Sequence, residues 1–279
     1  MSFKSFHNHE VSLLHFPGQQ KNLYWDKIQE LKELPVTKPD DISIVCILTP
    51  DKFDEAPLHY QLTKSGIKYY NSVPEDHKMW INKHKPQYVV DALKQVDTEF
   101  SLITDGNDVV LVDDLEKMKK AFFGYEKLIM FNATSNRFPN IPLDFIPYVD
   151  EVPGTRQILF GPFCYLNAGV CFGYTDVLIQ FYQEVAEATK YENVPSEQYY
   201  VRKVMGAHQD QVFFDYDCRM FQAFNRGVEF SEVEGSDDIK LKGSEKSKRL
   251  KDISKQWRRI KTFANPLLWR GQSVIIIIL

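Results

Sequence analysis

Four largely apolar runs of strand length constrain this chain most: 42–50 (ISIVCILTP), 100–105 (FSLITD), 127–133 (KLIMFNA) and 165–174 (YLNAGVCFGY). Runs this short, without regular polar alternation, belong to strands covered on both faces. Pro50 closes the first. Between the strands lie helical patterns. Segment 85–96 has Pro86 near its start, and 114–125 carries acids first, lysines later and Gly124 near its end, as a helix dipole favours. Further helices are predicted over 23–34, 58–64 and 176–191, the last with Thr175 as N-cap, and a further strand over 67–73 (IKYYNSV). Strands alternating with helices to about residue 130 predict βαβ units. The implied α/β fold is a mostly parallel central sheet with helices on both faces.

With 43% hydrophobic residues the chain can fill one large core, and it reads as one domain, 1–279, with its core at about 42–235. No apolar run reaches the roughly 18 residues of a bilayer span. The terminal VIIIIL reads as a strand or a sticky end. With no secretion signal in the first residues, a cytoplasmic location is expected. Cys46, Cys164, Cys171 and Cys218 form no CxxC pair, so free thiols are expected rather than a zinc site. Segment 240–261 holds ten Lys/Arg against Glu245 and Asp252, while the whole chain carries -4. A basic stretch on an acidic body fits an anionic partner, or a solvated helix face. Trp257 within it has two readings, stacking on a base or sugar and packing on the body.

In open α/β sheets ligands bind beyond the carboxyl ends of strands. Three polar clusters fall there: Thr49-Pro50-Asp51, Asp105 to Asp108, and Asn132 to Asn136. In the second, SLITDGNDVVLVDD, two carboxylates stand three residues apart between apolar runs. As a bare pattern this is a tight turn or a pair of hard oxygen ligands for Mg²⁺ or Mn²⁺ beside a diphosphate.

The order of short motifs adds to this. T-D-G-N-D-V is followed by N-R-F-P-N, Y-L-N-A-G-V-C-F-G-Y, H-Q-D-Q-V-F-F and D-Y-D-C-R-M-F-Q. Over roughly 42–273 the chain thereby resembles the glycosyltransferase domain of the collagen lysyl hydroxylase/glycosyltransferase family and its collagen galactosyltransferase relatives. The resemblance implies a GT-A nucleotide-sugar fold and transfer of a hexose from a UDP-sugar to a hydroxyl acceptor (protein, glycan or modified DNA base). It implies that Asp105 and Asp108 hold Mn²⁺ or Mg²⁺. Thr49, Asp51, Lys85 at its helix start, Asn107, Phe138, Gly169 and Gln211 would surround the donor. Asn167 and Asp210 would act on the sugar and acceptor. The basic segment 236–279 would return to the donor site.

Several positions depart from the family pattern. Asn107 stands where the family often has Tyr on uracil, and Arg137-Phe138-Pro139 replaces C-W-P. Of the family's D-D-D-Q only Asp210 and Gln211 remain, behind His208 and Gln209. The family's late P-x-x-x-H-G-N, whose His completes the metal site, is here P-L-L-W-R-G-Q, with Arg270 in place of the His; no His follows His208. Arginine cannot ligate a metal but can clamp a diphosphate. Three readings follow: a metal held by carboxylates, phosphates and water; an Arg270 that assumes part of its charge role; or a degenerate, non-catalytic nucleotide-sugar binder. The basic segment adds a glycosyltransferase acting on hydroxymethylated DNA bases. His7, His9 and His15 have no metal-ligand context and read as surface residues. His208, at an expected helix start, has two readings: a ligand or base, and a surface residue.

Overall fold

The computed structural model describes residues 2–75, 81–139, 159–224, 228–232, 236 and 238–243. The first half runs β1 (Phe3–Lys4), β2 (Leu13–His15), α1 (Gln19–Leu23), α2 (Trp25–Leu31), β3 (Ile42–Ile47), α3 (Pro57–Lys64), α4 (Lys85–Leu93), β4 (Phe100–Asp105), β5 (Val109–Leu111) and α5 (Leu115–Phe123). The second runs β6 (Ile129–Thr134), β7 (Tyr165–Tyr174), α6 (Thr175–Tyr191), α7 (Glu197–Met205), β8 (Val212–Phe214), β9 (Phe221–Ala223), β10 (Val228–Glu232) and β11 (Ile239–Gly243).

The apolar runs become the central sheet, ordered β3-β4-β7-β6-β8. β3 with β4 and β6 with β8 pair in parallel, while β7 is antiparallel to both β4 and β6. Four of the five strands therefore run one way: a mixed α/β sheet with β7 reversed. Side chains alternate between its faces. Val45, Ile47, Ile103, Phe131 and Cys171 pack with Val89, Leu93, Leu178 and Tyr182 of α4 and α6. Ile42, Ile44, Leu102 and Phe172 pack with Leu58, Leu62, Met118 and Phe122 of α3 and α5. Burial on both faces is why these strands read as unbroken apolar runs. Asp114 caps α5, its side chain accepting from Glu116 N at 2.9 Å, and Gly124 follows the helix. All four cysteines are buried free thiols.

Local expectations differ from the fold in five places. Segment 67–73 makes only a bridge, Val45 to Tyr70. Asn71 turns the chain away, donating to Leu48 O at 2.7 Å and accepting from Val73 N. The helix expected over 23–34 is shorter: α2 runs from Trp25 to Leu31, and Tyr24 separates it from a preceding α1 that ends at Leu23. Thr175 opens α6 but does not cap it; its hydroxyl bonds Ser101 Oγ at 2.8 Å. His208 to Gln211 do not start a helix: α7 has ended at Met205, and the turn feeds edge strand β8. The β-branched and aromatic run Val212-Phe213-Phe214 suits that strand.

The fifth difference concerns the amino-terminal residues, which lie outside the expected core. β2 is the middle strand of a second sheet, β5-β2-β9. β1 pairs with β11, which also pairs with β10, so residues 239–243 belong to a third sheet. The rest of the basic segment, with Trp257, Arg270 and VIIIIL, lies outside the described residues. No described helix is long and apolar enough to cross a membrane.

Candidate functional site

β3, β4 and β6 end at one edge of the central sheet, and reversed β7 begins there. Helices α4 and α7 start at the same edge, their first residues Lys85 and Glu197 facing a cleft of about 1070 Å³. Of the residues singled out in the sequence, Thr49, Asp51, Lys85, Asp105, Asn107, Asp108, Phe138, Asn167 and Gly169 line this cleft.

The Asp105–Asp108 turn is fixed by packing. A Cβ on Gly106 would lie 2.6 Å from Cys46 Sγ, so only glycine lets the turn lie flat on β3. Asp108 O accepts from Phe16 N at 2.8 Å, which docks the end of β2 against the turn. That contact brings in His15, read from sequence as a surface residue and here buried. Its Nε2 lies 3.4 Å from Asp108 Oδ1. On the other side, Asn132 Nδ2 is 3.0 Å from His15 Nδ1, while Asn132 Oδ1 accepts from Ala133 N at 2.7 Å. A register shift in β6 between Phe131 and Asn132 sits at this point, as bulges do where a side chain is re-aimed. One signal in the sequence pointed to His15: it is the lone titratable group in the apolar stretch VSLLHF.

Lys85 anchors the opposite wall. Its Nζ lies 2.6 Å from Asp105 Oδ1 and 2.8 Å from Glu197 Oε2, and the ammonium and Glu197 are both buried. Burial alone would lower the Lys85 pKa, but the two carboxylates overcome it and hold the pKa above its usual range. Burial pushes the Asp105 carboxyl up, with Lys85 opposing and Asp108 reinforcing the shift. Burial likewise pushes Glu197 up to about 7, opposed by Lys85 and reinforced by Asp105. Asp105 and Glu197 thus share one buried ammonium, while Asp108 stands beside His15 and interacts with the Lys21 charge. Among the described residues Asp108 Oδ1 and Glu197 Oε1 have no hydrogen-bond donor, which leaves the cluster short of donors.

The remaining walls are tied together by side-chain amides. Gln198 Nε2 donates to Phe138 O, and its Oε1 accepts from Ala168 N at 3.1 Å. Asn167 Oδ1 accepts from Gly169 N at 2.9 Å. Phe138 is 61% exposed, an open aromatic face on the rim. Asn107 accepts from Lys21 Nζ at 2.6 Å. Burial lowers the pKa of that lysine, with Asp108 and Glu55 opposing.

Asp210 and Gln211 do not join the cleft. They precede β8, which runs parallel to β6 and pairs with its first half, so they lie at the other end of the sheet from Asn132. There Lys127 Nζ donates to Asp210 O at 2.9 Å, and Gln211 O accepts from Leu128 N at 2.8 Å. The acid–Gln pair at the cleft is instead Glu197-Gln198. The distinguishing signal was Ser196 before it, at a helix start. The chain matches no protein-family model and has no significant match among curated proteins.

Asp105 and Asp108 each offer a carboxylate oxygen, and His15 a ring nitrogen, all within 4.8 Å of one another. Two hard carboxylate oxygens and an imidazole nitrogen form a donor set that fits a divalent cation such as Mn²⁺ or Mg²⁺.

Proposed function

We propose that this chain is a UDP-sugar-dependent hexosyltransferase of GT-A-like fold that moves a hexose to a hydroxyl acceptor. The observation that carries the reading is the meeting of the D-x-x-D turn with Lys85, Asn167, Gly169 and Gln198 in one cleft at the carboxyl edge of the sheet. Motifs far apart in the chain converge where nucleotide ligands sit in open α/β sheets.

Asp105 and Asp108 would hold Mn²⁺ or Mg²⁺, which supplies charge neutralisation to the diphosphate leaving group. Lys85 keeps Asp105 oriented through its ion pair. Gly169 leaves room against Asp105, because a Cβ there would sit 2.8 Å from Oδ2. Gln198 and Asn167 brace the backbone of β7, so the donor would meet a preorganised wall. Phe138 offers an exposed ring for stacking on a base or sugar. Most of the acceleration would come from such positioning and charge stabilisation.

The experiment is turnover of a panel of UDP-sugars with Mn²⁺. Wild type is expected to hydrolyse or transfer at least one donor, and Asp108→Ala to lose about 10²- to 10³-fold in rate, the size typical of losing one electrostatic stabiliser. Equal rates in the two proteins would sink the reading. Tight UDP binding by calorimetry without turnover of any donor would instead mark a non-catalytic nucleotide-sugar binder. Action on a hydroxymethylated DNA base rests on the basic segment, of which only Lys240 and Lys242, exposed on β11, fall within the described residues.

A further inference from the structure

We infer that His15, delivered by the amino-terminal strand β2, is the third protein ligand of a divalent-cation site formed with Asp105 and Asp108. The inference deepens the function proposed above and rests on it for the diphosphate that would share the cation.

Four observations converge on His15. Its side chain is 2% exposed inside an otherwise apolar strand, and an imidazole is not buried there without polar partners. Its Nε2 and Asp108 Oδ1 stand 3.4 Å apart, yet Asp108 Oδ1 has no hydrogen-bond donor among the described residues. Adjacent ligands of an octahedral cation at about 2.1 Å are separated by about 3 Å, close to that spacing. Second, Asp105 divides its oxygens: Oδ1 meets Lys85, while Oδ2 lies against Gly169. Third, Gly169 is the floor beneath both groups. A Cβ there would lie 2.6 Å from His15 Cε1 and 2.8 Å from Asp105 Oδ2, so any side chain would displace two of the three ligands. Fourth, Glu197 is 7% exposed, and its Oε1 is unpartnered among the described residues.

Asn132 supplies the support that ligating histidines need. Ligation through Nε2 places the imidazole proton on Nδ1, so the Asn132 amide presents its oxygen there and gives up the bond from Ala133 N. An amide can do this because it carries both a donor and an acceptor. The arrangement also answers the missing late histidine. A histidine from the start of the chain would stand in for one that the resembling family carries near its end.

The test is Mn²⁺ binding to the full chain without any donor, followed by electron paramagnetic resonance with spin-echo detection of ligand ¹⁴N. The expected result is bound Mn²⁺ with a histidine-nitrogen coupling. In His15→Gln the coupling disappears and affinity falls about 10-fold or more, the scale of disturbing a metal's ligand set. Gly169→Ala, which removes no ligand but crowds His15 and Asp105, should weaken Mn²⁺ binding and reduce the coupling. Absence of Mn²⁺ binding, bound Mn²⁺ without nitrogen coupling, or a coupling that survives in His15→Gln each overturns the inference. Hexose transfer without nitrogen coupling would sink the ligand assignment alone. Nitrogen-coupled Mn²⁺ without turnover of any UDP-sugar would sink the proposed function alone.

Discussion

Two buried carboxylate centres among the described residues are built on opposite plans. Asp215, between β8 and β9, is fully buried. It accepts from Tyr125 OH and from the backbone N–H groups of Arg219, Met220 and Phe221, the last three at 2.8 to 2.9 Å. Cys218 at φ 51° bends the chain so that these groups wrap the acid. Both Asp215 oxygens are occupied, and the acid serves to hold a turn. In the cleft, Asp108 and Glu197 each keep an oxygen without a donor among the described residues. Burial is common to the two centres, so burial alone does not mark a site; what sets the cleft apart is unspent acceptor capacity gathered at the carboxyl edge of the sheet.

The contrast can be broken from either side. The largest expected effect comes from Lys85→Met. Removing the ammonium leaves Asp105 and Glu197 uncompensated, and stability should fall by about 3–5 kcal/mol, the usual loss when one partner of a buried ion pair is deleted. Urea denaturation reads this directly, and an unchanged midpoint would show that Lys85 does not hold the cleft together. Next comes Asp215→Ala, which strands one hydroxyl and three N–H groups. Water entering the space of the lost carboxylate re-satisfies most of these donors, so the net loss should be about that of one buried group left unsatisfied, about 3 kcal/mol at the top of the range, with the UDP affinity of the folded fraction unchanged. A parallel fall in UDP affinity would mean that the two centres are not separate. The smallest effect concerns pH. Because Glu197 is pushed up to about 7, the folded state binds its proton more tightly than the unfolded state does. Stability is therefore lost as pH rises from the ordinary carboxylate range towards 7. Glu197→Gln should flatten that slope by at most about 1.4 kcal/mol per pH unit, the limit for one proton. Identical slopes in the two proteins would place the titration elsewhere.

The central strands were legible because each carries apolar residues to both faces; β7 matched its expected limits at 165–174. Asp105, Asp108, Lys85, Asn167 and Gly169 were legible for a related reason, since strand ends and helix starts at one sheet edge must converge. What differed was not local. Acid followed by Gln occurs at Glu197-Gln198 and again at Asp210-Gln211; motif order selected the second pair, while the fold brings the first to the cleft. Two features separate them: Ser196 at the helix start before the first pair, and the direction of β8 relative to β6, which carries the second to the other end of the sheet. His15 was missed because β2 finds its partners at residues 109–111 and 221–223, pairings with no trace in a short window. Segment 67–73 has the composition of a strand, but Asn71 spends its side chain on neighbouring backbone groups, and the ladder stops.

The placement of β2 has a consequence for how the chain is made. A ribosome releases Leu13, Leu14 and His15 well before residues 221–223 of β9, and β2 gains its second neighbour only when these have emerged. In that interval an apolar edge, continued by Phe16, waits without its full cover, the kind of exposed strand that invites chaperones or aggregation. One wall of the cleft is thus made long before the strand that completes its cover.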